Sequence, residues 1–374
     1  MVTGGIWPGN GSWLKDTLQY GDYLYELLDT STNDPLHNGG FSSLFREWQF
    51  TDEANATERA FHQSIRIPFP LQPVMLNIYS RDNSNTLKKI SNHFIDPESI
   101  YISGHDQFFG EQIPVLENGH PHQKVDLVFL AEGYQQNEKE KFIHDMKRLT
   151  HEFFSVEPFK TMKSAFNVNG VFHPSEDSGA DMPGNDTWKN TVLNTHFYTF
   201  GSERYLTTKE NKQVRNMAAA VAYDQIIILV NAEKYGGGGI YNHYTILTSD
   251  NEYSGFLLLH EFGHAFAGLG DEYYTSEVAY QDIYDVNSEP WQPNLTTLVN
   301  FETKWKHMIK DDTPLPTPET AEYANSIGIF EGAGYVAKKV YRPFQDCIMK
   351  SRDAKAFCPV CKKSIREMIL MTTE

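Results

Sequence analysis

The sequence predicts a mixed α+β and α/β protein: an N-terminal antiparallel β-sandwich followed by a domain in which strands and helices alternate. Three observations carry this expectation. Short period-2 runs broken by Pro, Asn and Asp fill the first third of the chain, and buried-type strands separated by helical periodicity fill the remainder. Between them lies the polar, turn-prone stretch Leu116 to His122. The implied domains are residues 1–120 and 121–374, and a chain of 374 residues is comfortable for two.

In the first domain, Ser64 to Pro70 and Val74 to Tyr79 read as the clearest strands. In the second, Val125 to Ala131 is a continuous apolar strand broken by one Asp, and Phe142, Met146, Leu149 and Phe153 then recur at helical spacing. Phe166 to Phe172 and Gln225 to Val230 read as further strands, with Val214 to Tyr223 as a helix between them. The run Gly236 to Gly239 allows close backbone approach, and His243 to Thr248 reads as an edge strand after it.

A net charge of −17 with no basic patch argues against a nucleic-acid partner. Apolar runs such as Ile226 to Val230 and Phe256 to Leu259 fall far short of the roughly 20 residues that cross a bilayer, so no transmembrane segment is expected. Met1 to Pro8 shows neither a basic n-region nor an apolar h-region. Cys347, Cys358 and Cys361 are too few for a disulfide framework or a four-cysteine zinc site.

The chemistry concentrates in one helix. Ser254 is placed to cap it, and the segment Phe256 to Ala267 is strongly apolar apart from His260, Glu261 and His264, before Gly268 and Gly270 end it. Histidines four apart share a helix face, so two imidazoles can converge on one tetrahedral metal while the glutamate beside them handles a water. A zinc site of this kind needs a third protein ligand. Asp271, three residues beyond Gly268, has the position that metzincins use, although one extra residue separates His264 from the glycine; Glu272 is the competitor.

The run His260 to Tyr273 resembles the active site of the M64 metallopeptidases, the family that includes bacterial immunoglobulin A peptidases. Lys234 to Asn242, Asp177 to Asp181, Gly332 to Tyr335, Asp346 to Met349 and Phe357 to Cys361 also resemble that family, as does Leu44 to Phe69 in the N-terminal domain. The resemblance implies a zincin-like catalytic domain behind a β-sandwich, one catalytic Zn²⁺ on His260, His264 and Asp271, Glu261 as general base, and Met349 as a Met-turn. A protein or peptide would be the substrate, and the enzyme would work in secreted, periplasmic or cell-surface form. Gly237 to Tyr241 would then line the substrate cleft, with the strand that follows free to pair with an extended peptide.

Other readings stay open at this point. Tyr241, Tyr274 and Tyr341 are unranked candidates for oxyanion stabiliser. Cys358 to Cys361 can be a redox pair, part of a metal site, or structural with one cysteine bridged to Cys347; Pro359 at a helix start favours the structural role. Asp177, Asp181 and Asp186 form an acidic loop that can bind calcium or simply turn the chain. The alternative function is a degenerate zincin serving as a protein- or glycan-binding module.

Overall fold

The computed structural model describes residues 1–9, 15–103, 108–274 and 284–373. In the N-terminal region β1 (Tyr23–Asp29), β2 (Pro35–Phe41), β3 (Val74–Arg81) and β4 (Leu87–Ile95) form one antiparallel sheet in the order β2-β1-β3-β4, with the short helix α1 (Leu44–Trp48) following β2. Tyr23, Tyr25 and Phe41 are buried on one face, covered by Ile65 and Ile67. Those two residues come from Ser64 to Pro70, which joins no ladder. Pro68 and Pro70 lack the N–H donors a strand needs, so this segment contributes side chains to the second layer rather than another strand.

The larger sheet has six strands: β5 (Glu111–Leu116), β6 (Val125–Glu132), β7 (Phe166–Phe172), β8 (Gln225–Val230), β9 (Gly237–Ile240) and β10 (Tyr244–Thr248), in the order β5-β7-β6-β8-β10-β9. It therefore begins on the N-terminal side of residue 121. The central strands β7, β6, β8 and β10 run parallel, and β5 and β9 are antiparallel at the two edges. Every residue of β6 and of β8 is buried, which is why both read as unbroken apolar runs. The charged exceptions within β6 are both matched: Asp126 accepts from the Asn167 amide at 2.9 Å, and Glu132, at the strand's end, accepts from the Thr191 and Thr195 hydroxyls at 2.6 and 2.9 Å.

The edge strand is β9, the glycine run itself, and not Tyr244–Thr248, which lies one strand further in. The glycines explain the difference. A Cβ on Gly239 would stand 2.2 Å from the Glu261 carbonyl oxygen, so only glycine lets this strand slide under the helix that carries the histidines.

Helices α2 (Lys139–Phe153), α3 (Asn211–Ala218) and α4 (Ser254–Ala267) belong to this domain. Helix α4 packs on β9 and β10 and against α2, where Phe262 meets the edge of Phe153 at 5.1 Å between centroids. The chain ends with the hairpin β11 (Phe330–Ala333) and β12 (Val336–Arg342) and with α5 (Pro359–Thr373). Gly334 and Tyr335 form the hairpin tip, both with positive φ (58° and 64°), the backbone that a tight two-residue turn demands. The small sheet is tied to the large domain. Ser42 N–H donates to the Tyr241 carbonyl at 3.0 Å, and the Trp291 indole N–H donates to Asp22 at 3.0 Å.

Candidate active site

Helix α4 starts with Ser254 as its first helical residue, not its cap: the Ser254 hydroxyl donates to the Thr248 and Asn251 carbonyls at 2.7 Å each, and Tyr253 holds the cap position. The helix stops where expected. Gly268 adopts a left-handed φ of 61°, and the N–H groups of Gly268 and Leu269 close on the carbonyls of His264 and Gly263. This turn sends the chain back along the histidine face.

His260 Nε2 and His264 Nε2 lie 3.2 Å apart, and Asp271 Oδ1 lies 3.1 Å from the first and 3.3 Å from the second. Three ligand atoms on one tetrahedral ion at bond lengths of about 2.0 to 2.2 Å stand about 3.3 to 3.6 Å from each other. The observed triangle is slightly tighter, with its longest side at the lower end of that range. Each imidazole has its other nitrogen against a backbone carbonyl, His260 Nδ1 against Ile348 at 2.9 Å and His264 Nδ1 against Leu269 at 2.6 Å. Those nitrogens must donate, so in the neutral rings both Nε2 lone pairs face Asp271 Oδ1.

Three lone-pair donors converging in a buried place repel one another unless a cation sits among them. Asp271 Oδ1 is buried and has no hydrogen-bond donor. A proton on His264 relieves the same repulsion. Burial disfavours a charged His264, yet the Asp271 carboxylate overrides it and lifts the pKa to about 9. Asp271 in turn is held well below the usual carboxylate range, because His264 and His260 outweigh its desolvation. The residues fit a divalent metal.

Asp271 is held from behind by the hairpin tip. The Gly334 N–H donates to the Asp271 carbonyl at 2.8 Å, the Tyr335 N–H donates to the Tyr273 carbonyl at 3.0 Å, and the Tyr335 hydroxyl donates to Asp271 Oδ2. Glu272 points elsewhere: its Oε1 accepts from Asn294 at 2.9 Å and from the Cys361 thiol at 3.2 Å. Met349 is fully buried beneath the helix, and a Cβ on Gly263 would come within 2.8 Å of its sulfur.

The profile of the family described as IgA Peptidase M64 matches residues 113–323 and 319–369, and that of the Peptidase M64 N-terminus matches residues 1–92. The chain belongs to the M64 peptidase family. No curated protein matches it. Membership makes the chain a peptidase, a hydrolase of peptide bonds in a protein substrate, and implies a metal cofactor. Among the described residues no helix is long and apolar enough to cross a membrane.

In this M64 peptidase the histidines open onto a cleft of about 790 Å³. The Glu261 carboxylate lies within 4.8 Å of both imidazoles, and burial raises its pKa against the opposing influence of His260 and His264. Gly237 to Tyr241 line one wall, and the N-terminal region supplies Asp22 and Glu47 to another. Of the tyrosines considered from the sequence, Tyr241 lines the cleft but is 5% exposed, while Tyr274 and Tyr341 are not among the lining residues. Tyr273, Tyr335 and Arg204 occupy that place instead. Tyr335 was legible in principle, because a Gly-Tyr pair between two alternating runs is a hairpin signal. The acidic loop satisfies itself: Asp177 and Asp181 accept from the backbone N–H groups of Asn190 and Lys189, and Asp186 accepts from the Trp188 indole.

Proposed function

We propose that this M64 peptidase is a zinc-dependent endopeptidase in which His260, His264 and Asp271 hold the catalytic ion and Glu261 is the general base. The observation that carries this reading is the triangle of donor atoms, 3.1 to 3.3 Å on a side, with the lone pair of a donorless buried carboxylate oxygen among them. When bound, zinc supplies Lewis acidity towards the scissile carbonyl and lowers the pKa of water to about 7.

The chain's own residues do the rest. Glu261 takes the proton of the attacking water and delivers it to the leaving amine nitrogen, a role typically contributing roughly 10²- to 10⁴-fold. Its burial favours the protonated form that the second half of this transfer requires. Ile348 and Leu269 fix the imidazole tautomers through their carbonyls, and Tyr335 fixes the rotation of the Asp271 carboxylate. Met349 is the Met-turn floor, fitted against Gly263.

An extended peptide would lie along the cleft wall that β9 forms, beyond the point where Gly237 already pairs with Arg204 and Leu206, and backbone pairing there needs no particular side chain. Action in secreted, periplasmic or cell-surface form is part of this proposal, supported by a family description that refers to an extracellular antibody. Cleavage profiling on a peptide library tests the reading. Internal cuts that vanish with a chelator and return with zinc are expected, whereas cutting that persists in metal-free protein would overturn it.

A further inference from the structure

Behind the histidine triangle lies a second convergence of ligand-type side chains. Cys347, Cys358, Cys361 and Glu272 are all buried, none of the cysteines is in a disulfide, and one ligand atom from each of the four lies within 4.8 Å of the others. Thiolates about 2.3 Å from a tetrahedral zinc stand roughly 3.8 Å apart, so the spacing is of the right order. We propose that Cys347, Cys358, Cys361 and Glu272 hold a second, structural metal ion of zinc type.

A second observation points the same way. Glu272 is 0% exposed and its Oε2 has no hydrogen-bond donor, an arrangement that is costly for a carboxylate unless a cation compensates it. Backbone N–H groups face two of the sulfurs. The Cys358 N–H donates to Cys347 Sγ at 3.2 Å and the Cys361 N–H donates to Cys358 Sγ at 3.5 Å, the latter at the N-terminus of the 15-residue helix α5. Three thiols cannot be satisfied by one disulfide. Three soft sulfurs and one oxygen select zinc over magnesium or calcium, and four protein ligands close the site to substrate. Arg342, fully buried, and Lys350 act electrostatically on Glu272 and would offset the surplus negative charge.

The position gives the ion its task. Glu272 follows Asp271 and its N–H donates to the Met349 carbonyl at 2.8 Å, while Cys347 precedes Ile348, whose carbonyl orients His260. An ion here would staple the Asp271 loop, the Cys347–Met349 turn and the start of α5 into one unit behind the catalytic histidines.

Metal content measured by mass spectrometry on chelator-free, reduced protein tests this. The parent should carry two ions per chain, and both His260→Ala/His264→Ala and Cys358→Ser/Cys361→Ser should carry one. The cobalt-loaded histidine variant should show intense sulfur-to-cobalt charge-transfer absorption in the near ultraviolet, and this measurement stands even if the cysteine variant fails to fold. A histidine variant that holds no ion, a cobalt spectrum without that absorption, or a Cys358–Cys361 disulfide in the native protein would overturn the proposal. One ion with the charge-transfer band upholds this site and counts against the catalytic one; one ion without it does the reverse.

Discussion

The Tyr335 hydroxyl donates to Asp271 Oδ2 from the tip of a hairpin whose backbone also clasps the Asp271 carbonyl. One carboxylate oxygen is thus occupied and the other is left to face the histidines. Tyr335→Phe should therefore weaken metal binding by about 10- to 100-fold, the usual effect of losing such an outer partner, with little change in fold. Chelator competition measures it, and unchanged affinity would remove Tyr335 from the site.

Glu261 touches no ligand atom of the metal in the proposed arrangement. Glu261→Gln should keep the ion and the thermal midpoint but reduce kcat by roughly 10²-fold or more. Turnover within about tenfold of the parent would reject the base assignment.

Asp271 and Glu272 are neighbours that face different ways, since only Asp271 Oδ1 approaches the imidazoles, to 3.1 and 3.3 Å. Asp271→Ala should raise the zinc concentration needed for half-maximal activity by more than the roughly 100-fold upper range of an outer partner. A zinc titration of activity decides it; a shift below about tenfold would show that another group completes the site.

Gly239 has no room for a side chain, because its Cβ would sit 2.2 Å from backbone oxygen of α4. Gly239→Ala should cost about 1 to 3 kcal/mol of stability and displace β9 from the helix. Gly4→Ala, with nothing within 4 Å of its Cβ, is the control and should stay within about 0.5 kcal/mol. Equal unfolding midpoints in denaturant for the two variants would contradict the close approach.

Asp224 lies away from the histidines, and burial raises its pKa to about 7 despite the Asp126 N–H it accepts. Its folded-state pKa exceeds the ordinary value, so the folded chain holds a proton that the unfolded chain has released. Stability from this group is present at low pH and is lost as pH rises from about 4 to about 7. Asp224→Asn should flatten that decline and raise the thermal midpoint at pH 8 relative to the parent; an identical pH profile for both proteins would refute it.

What the sequence determined by itself was whatever depends on short spacing. His260 and His264 share a face because four residues make about one helical turn, Gly268 ends the helix because it tolerates a left-handed backbone, and β6 and β8 are buried because both of their faces are apolar. The tertiary structure decided what depends on distant segments. Spacing from Gly268 favours Asp271 over Glu272 in the sequence, but the contacts that turn the two apart, the clasp of Gly334 and Tyr335 on one side and the pull of Asn294 on the other, come from distant segments. The glycine run became the edge strand because Gly239 fits beneath Glu261, a contact no local pattern contains. The three cysteines, too few for a zinc site alone, found their fourth group in Glu272, which is 89 residues from Cys361 and is brought there only by the packing of α5 behind the active site.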